Sequence, residues 1–240
     1  MMLRIARKLN YVALSANQKQ KTQMRAPECI PLTLEPESKF YTDPVAVLDF
    51  QSLYPSVIIA FNICFTTCLG RIESIGKEGS FKFGCSSLFI SDNLIKSLDL
   101  DKDIYIAPNG VAFVKKHIRL GILPILLEDI LKTRVMIKNS MKLYKDDNLY
   151  KIFDSRQLSL KLIANVTFGY TAANFSGRMP CVEVGDTIVR VARQCLENSI
   201  KFIQTNYKKY GGRVVYGDTD SLFVLFEKIQ VNNSIFCIFE

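Results

Sequence analysis

The chain has 240 residues, of which 48% are hydrophobic, and carries 31 basic and 23 acidic side chains for a formal net charge of +8. Such a composition supplies apolar material for one large core or two small ones and excludes an intrinsically disordered chain. No apolar run reaches the roughly 18 residues that span a bilayer as a helix, and no signal peptide opens the chain, so a soluble, non-secreted protein with no membrane partner is expected.

The seven cysteines, at 29, 64, 68, 85, 181, 195 and 237, form no C-x-x-C pair, and His117 is the single histidine. Cys64 and Cys68 are spaced like half a zinc site that lacks its second half, so the cysteines read as reduced, mostly buried thiols. The first 27 residues carry Arg4, Arg7, Lys8, Lys19, Lys21 and Arg25 and no acid, which suits a polyanionic partner.

Residues 1–44, basic and then dotted with Pro27, Pro31, Pro36 and Pro44, read as an extended lead-in segment. Val45 to Phe50 reads as a buried strand that delivers Asp49 at its end, followed by a helix that starts near Ser52–Tyr54 with Pro55 in its first turn. Between 70 and 110 only weak strands are legible, near 81–83 and 104–107, and Gly110 to Val114 is a clearer one. A helix is predicted over 122–145, with Ile122, Leu126, Ile130 and Leu131 on its apolar face and Arg134, Lys138 and Lys142 recurring every four residues. A second, over 154–170, places Gln157, Lys161, Asn165 and Phe168 on one face, and the polar Asp146-Asp147-Asn148 between the two makes them an antiparallel hairpin. A third, over 185–207, carries Ile188, Val191, Cys195, Ile200 and Ile203 as packing for the strands that follow and is stopped by Gly211-Gly212. Arg213–Tyr216 and Ser221–Phe226 then flank a turn led by Gly217 with Asp218 and Asp220 at its tip. The fold class is α+β.

Asp49, Asp218 and Asp220 thus stand at strand ends or turns, while two helices present Arg134, Lys138 and Lys161. Carboxylates holding two divalent ions about 3.5–4 Å apart can serve phosphoryl transfer, and hard oxygen donors favour Mg²⁺. Arg and Lys outside the metal would meet a triphosphate. The same residues also allow a plain hairpin turn, a helix-capping Asp49 and a solvated basic face, and the residue pattern alone leaves those readings open.

Three motifs narrow the choice. Asp49-Phe50-Gln51-Ser52-Leu53-Tyr54-Pro55-Ser56 matches D-x-x-S-L-Y-P-S, Lys161 to Gly169 resembles K-x-x-x-N-S-x-Y-G, and Tyr216 to Ser221 is Y-G-D-T-D-S. All three resemble the motifs of family B DNA polymerases and occur in that family's order. Met24–Pro27, Glu35–Ser38, Pro108–Val114, Asn165–Tyr170 and Asn174–Cys181 resemble, more narrowly, the family's translesion-synthesis members.

The resemblance implies a palm, an antiparallel sheet with packed helices, interrupted by a two-helix fingers subdomain. Residues 1–44 would lead into the palm, 45–118 would form its first part, 119–178 the fingers, and 179–240 its second part. It implies a DNA-directed DNA polymerase of the nucleus that uses primer–template DNA, a dNTP and two Mg²⁺ ions. Asp49 and Asp220 would hold both ions with the Phe50 carbonyl, and Asp218 would be bound less directly. The amides near Ser52, Leu53 and Tyr54 would meet the triphosphate at a helix N-terminus. Tyr54 would exclude a ribose 2′-hydroxyl, Arg134, Lys138 and Lys161 would grip the triphosphate, and Asn165 would line the nascent pair.

Val166 and Phe168 depart from the family's Ser and Tyr, implying a permissive site suited to distorted primer ends. The exonuclease-like region, the thumb, and the parts that hold an iron–sulfur cluster and accessory subunits would lie outside this segment, which has no ligands for such a cluster. A fragment of this kind is expected to extend primers feebly or not at all by itself. Two rivals stand beside the polymerase: a non-catalytic DNA-binding remnant, and a nucleotide-sugar transferase using Asp-x-Asp, which leaves the first two motifs unexplained.

Overall fold

A computed structural model describes residues 1–77, 79–144, 146–173, 177 and 179–226. Cys237, the stretch 174–176 with Arg178, and the expected continuation of the palm past 226 lie outside the described residues. In chain order the elements begin with α1 (Met2–Lys8), α2 (Gln18–Thr22), β1 (Val45–Asp49), α3 (Leu53–Ala60), β2 (Cys68–Arg71), β3 (Phe81–Phe83) and β4 (Ser86–Leu88). They continue with α4 (Asp92–Lys96), β5 (Ile104–Ile106), β6 (Val111–Val114), α5 (Ile122–Leu143), α6 (Asp147–Ala172), α7 (Val182–Thr205), α8 (Tyr207–Tyr210), β7 (Gly212–Asp218) and β8 (Ser221–Phe226). All strand pairings are antiparallel, and with the helices they make an α+β fold. Among the described residues no helix is long and apolar enough to cross a membrane.

The chain divides into two units, one of residues 1–29 and 54–191, the other of 30–53 and the chain from 192. In the first, β6 runs between β2 and β5, and its four residues Val111 to Val114 are all buried. Leu69, Ile104, Ala112 and Val114 form a core there, flanked by Ile75, Ile90 and Leu98. The lead-in segment is not wholly extended, since it contains α1 and α2. The start of α2 is fixed by a reciprocal capping box, in which Asn17 Oδ1 accepts from the Gln20 amide at 2.8 Å and Gln20 Oε1 from the Asn17 amide at 2.9 Å.

The helical hairpin is present as α5 and α6, with α6 starting seven residues before the expected 154. The reason lies in Asp146, whose side chain accepts from the Asn148 amide at 2.9 Å and caps the helix, so the polar run that suggested a turn is a helix start. Burial in α5 is confined to its root, at Ile122, Leu123, Pro124, Leu126, Leu127 and Ile130. In α6 only Ala164 and Thr171 are buried among the described residues, so the distal turns are held by the seam between the two helices.

Asn62 ties that root to the sheet. Its Nδ2 donates to the Val114 carbonyl at 2.8 Å and the Arg119 carbonyl at 2.7 Å, and its Oδ1 accepts from the Gly121 amide at 2.9 Å. It is 1% exposed with φ of 56°, a conformation Asn tolerates better than most residues. One side chain therefore joins the end of α3, the end of β6 and the start of α5. Gly121 itself admits no side chain, because a Cβ there would lie 2.6 Å from Cys64 Cβ.

In the second unit the sheet order is β1-β8-β7. Leu196, Leu222 and Val224 form its core, with Leu32, Leu48, Phe50, Ile200, Ile203, Val214 and Phe226 packed around them. The C-terminal half of α7 thus covers one sheet face, as its apolar periodicity predicts. Gly211, at φ of 66°, ends the short α8 that follows α7.

Asn62→Ala removes the donor to the buried Val114 carbonyl and the part-buried Arg119 carbonyl and the acceptor of the buried Gly121 amide, so it is expected to destabilise the fold by about 3 kcal/mol or more. Asn62→Asp keeps the acceptor for Gly121 but faces the two carbonyls with a second acceptor on a buried charge, so it should destabilise at least as much as Ala. Urea unfolding followed by circular dichroism measures both.

Candidate functional site

The acids of the second unit are placed by strand register. Asp49 on β1 pairs with Ser221 on β8, which pairs with Asp218 on β7. The preceding row on the same face is Val47, Phe223 and Tyr216, with the two aromatic rings 5.2 Å apart. Side chains alternate along a strand, so Leu48 and Phe50 point to the opposite face and join the core under α7. Asp49 therefore stands on the face away from that core, anchored by its apolar neighbours.

Two strand spacings separate Asp49 from Asp218, roughly 10 Å between Cα atoms. Asp220 takes a different position. The Phe50 amide donates to its carbonyl at 2.8 Å, which brings the Asp220 main chain against the residue next to Asp49. Asp218 is held at the other edge: its Oδ1 accepts from the Thr219 hydroxyl at 2.9 Å and the Thr33 hydroxyl at 3.4 Å. Residues 32–34 run along β7 there, with the Leu34 amide on the Gly217 carbonyl at 2.8 Å and the Thr219 amide on the Leu32 carbonyl at 2.9 Å. Glu37 extends the attachment by accepting from Arg213 Nη1 at 2.6 Å. That contact holds its carboxyl below the usual glutamate range.

The turn differs from the expected one. The loop is Thr219-Asp220, and the left-handed residue is Thr219 at φ of 52°, rare for a β-branched side chain. Gly217 is a buried strand residue, where a Cβ would stand 2.9 Å from Leu222 Cδ2 and 3.4 Å from Leu34 Cδ1. Its role is close approach rather than turning. A bulge between Val214 and Tyr216 puts one extra residue in β7 and so sets Asp218, rather than its neighbour, opposite Ser221.

In the first unit, the Tyr54 ring stacks on that of Phe168 with centroids 4.4 Å apart and planes at 21°. Successive turns of α6 away from this stack carry Asn165 and Lys161, both exposed, and then Gln157. Gln157 Oε1 accepts from Arg134 Nε at 3.3 Å across the hairpin. Lys138 lies one turn further out on α5, because the helices are antiparallel. The basic recurrence is therefore not a uniform solvated stripe, since Arg134 is half-buried in the seam while Lys138 is exposed. From the root outward, an aromatic pair, an amide and three cations follow at intervals of about one helical turn, about 5 Å.

Ser52, at φ of 53°, and Leu53, 5% exposed, belong to the second unit and lead into α3, while Tyr54 opens the first-unit part of that helix. Among the described residues no three His, Cys, Asp or Glu side chains converge to hold a metal. An iron–sulfur cluster has no ligand set among them. Cys64, Cys68 and Cys181 are buried, and burial raises the thiol pKa values of Cys68 and Cys181, which keeps them protonated and inert. The three acids likewise form no single cage, because Asp218 is engaged by Thr33 and Thr219. The sheet register and the Phe50 bond bring to this strand end the oxygen-bearing Asp49, Phe50 through its main chain, and Asp220.

The sequence profile of DNA polymerase family B matches residues 1–237. The DNA polymerase zeta catalytic subunit of Homo sapiens is 60% identical over 226 residues, which are 94% of this chain and 7% of that protein. The one from Saccharomyces cerevisiae is 45% identical over 225 residues, 93% of this chain and 15% of that protein. The chain spans only about 7–15% of the length of these relatives. Among solved structures, the family B DNA polymerase from the archaeon Pyrobaculum calidifontis superposes with a TM-score of 0.61 at 28% identity, covering 94% of this chain and 25% of that one.

A carboxyl held low in the fold adds stability above the ordinary glutamate range and loses it as pH falls through the lowered range. Hydrogen-exchange protection at the Leu34 and Thr219 amides is therefore expected to fall on acidification from neutral pH to below about pH 4. Glu37→Gln should flatten that dependence. Gly217→Ala, which forces Leu222 to move, is expected to destabilise the fold by about 1–3 kcal/mol in urea unfolding.

Proposed function

The chain belongs to DNA polymerase family B, and we propose that it carries the palm and fingers of a DNA-directed DNA polymerase, acting in translesion synthesis on nuclear DNA. In this reading the three-stranded sheet of the second unit belongs to the palm and the α5–α6 hairpin is the fingers. The reaction is attack of a primer 3′-hydroxyl on the α-phosphate of a template-selected dNTP, with release of pyrophosphate.

The observation that carries the reading is the Phe50–Asp220 hydrogen bond, which brings the Asp220 main chain against the residue next to Asp49 at an exposed sheet end. Asp49 and Asp220, with the Phe50 carbonyl, fit Mg²⁺, because they are hard oxygen donors few enough to leave room for water and substrate phosphates. A pair of such ions, when bound, activates the attacking oxygen and neutralises charge on the leaving one. Asp218 orders the turn by accepting from Thr33 and Thr219, and this supports a supporting role for it rather than a direct one.

Amides at Ser52, Leu53 and Tyr54 meet the triphosphate where α3 begins. Lys161, Arg134 and Lys138 bind its oxygens in turn along the hairpin, Arg134 being oriented for this by Gln157. Asn165, between the aromatic pair and the cations, faces the nascent base pair, and Tyr54 faces the sugar. Accessory subunits would bind parts of the longer relatives that this chain does not span.

In a catalytic subunit of full family length carrying this segment, Asp220→Asn is expected to lower primer extension on the order of a hundredfold or more. Activity equal to wild type would remove Asp220 from the chemistry. A wild type that binds primer–template and never extends it would favour the non-catalytic remnant. Phe168→Tyr, which restores a hydroxyl near the nascent pair, is expected to reduce extension from mismatched primer ends, measured against matched ends in the same enzyme.

A further inference from the structure

We infer that Phe168 is a positioning residue for sugar discrimination, acting by holding the Tyr54 ring in place. The inference rests on the proposed role of Tyr54 as the wall against a ribose 2′-hydroxyl. Such a wall works only if its ring cannot yield by the width of one oxygen atom. The backbone on either side of Tyr54 is fixed, because Leu53 and Pro55 are both buried in the first turn of α3. What packs against the tyrosine ring then bears on whether the wall holds.

Phe168 packs against that ring. Its ring lies 4.4 Å from the Tyr54 ring, with the planes inclined by only 21°, which is stacking contact over the ring face. The main chain of Phe168 is fixed in α6, where its carbonyl accepts from the Thr171 hydroxyl at 2.7 Å and Thr171 is 3% exposed. The wall is therefore a two-ring unit, with one ring on α3 and its backing on α6. It also joins sugar selection to the helix that carries Asn165 and Lys161. A phenylalanine suffices for this task, because stacking needs the ring and not a hydroxyl.

The test is the ratio of kcat/KM for a dNTP to that for the matching rNTP, measured by single-nucleotide primer extension with a full-length catalytic subunit carrying this segment. The ratio cancels a uniform loss of activity. Phe168→Ala is expected to lower it roughly three- to tenfold, the effect of losing one aromatic pair. Phe168→Leu, which keeps most of the volume without the ring, should lower it nearly as far and serves where the alanine variant does not fold. Phe168→Tyr should preserve it. A ratio unchanged in Phe168→Leu, in an enzyme where Tyr54→Ala does admit rNTPs, would overturn the inference and leave the role of Tyr54 standing. If Tyr54→Ala leaves the ratio unchanged, the underlying reading of Tyr54 falls and the inference with it. In Tyr54→Ala/Phe168→Leu, the second substitution should add nothing; a further drop would show that Phe168 acts independently of Tyr54 and would likewise overturn it.

Discussion

The hydrogen bond from the Phe50 amide to the Asp220 carbonyl is the constraint on which the acidic site depends. Asp49 and Asp220 are far apart in sequence, and a sheet register alone would pair Asp49 with Ser221 and stop there. The Phe50 contact continues the pairing one residue past the end of β1 and into the turn. It is maintained because the Phe50 side chain is packed with Leu48 in the core under α7 while Asp49, on the other face, is left exposed. An acid followed by an aromatic residue is therefore a mechanical device here: the ring fixes the strand end and the alternation presents the carboxylate. The bulge in β7 and the attachment of residues 32–34 serve the same end from the opposite edge, by fixing where Asp218 falls and what it touches.

A comparable economy governs the first unit. Asn62 satisfies three main-chain groups, one at the end of β6 and two in the segment that leads into α5, which fixes the root of the helical hairpin against the sheet. From that root, α6 leads from the ring stacked on Tyr54 past Asn165 and Lys161 to the Arg134–Gln157 pair. The sequential order of these groups along the helix has a chemical sense, since a nucleotide also presents base and sugar at one end and its phosphates at the other. The burial pattern agrees, because the hairpin is packed where the aromatic pair sits and exposed where cations would meet phosphates.

Much of this was legible in the sequence for physical reasons. The strands flanking Asp218 and Asp220 stand out as apolar runs, and the α5 and α6 faces stand out by periodicity. The acids, Tyr54 and the basic residues were identifiable by motif. What was not legible depends on long-range contact. Nothing local marks Thr33 as the partner of Asp218, and Val215 gives no sign of a bulge. Gly217 carries the residue type of a turn yet lies in β7 where Leu222 and Leu34 crowd it, so residue type alone points to a turn two residues early. Asp146 suggests a turn from sequence because a capping bond and a turn have the same local signature. Lastly, Phe168 showed itself as a departure from a motif, while its stacking on Tyr54 required the fold.

The central claim is that Asp49 and Asp220, not Asp218, share the metal ions. Its most direct test is a structure of the full-length catalytic subunit with primer–template, a non-reactive dNTP analogue and Mn²⁺, in which the ions are located by anomalous scattering. The account predicts Mn²⁺ between the Asp49 and Asp220 carboxylates, with the Asp218 carboxylate still bonded to Thr33 and Thr219. Ions bound by Asp218 in place of Asp220, or away from Asp49, would contradict it.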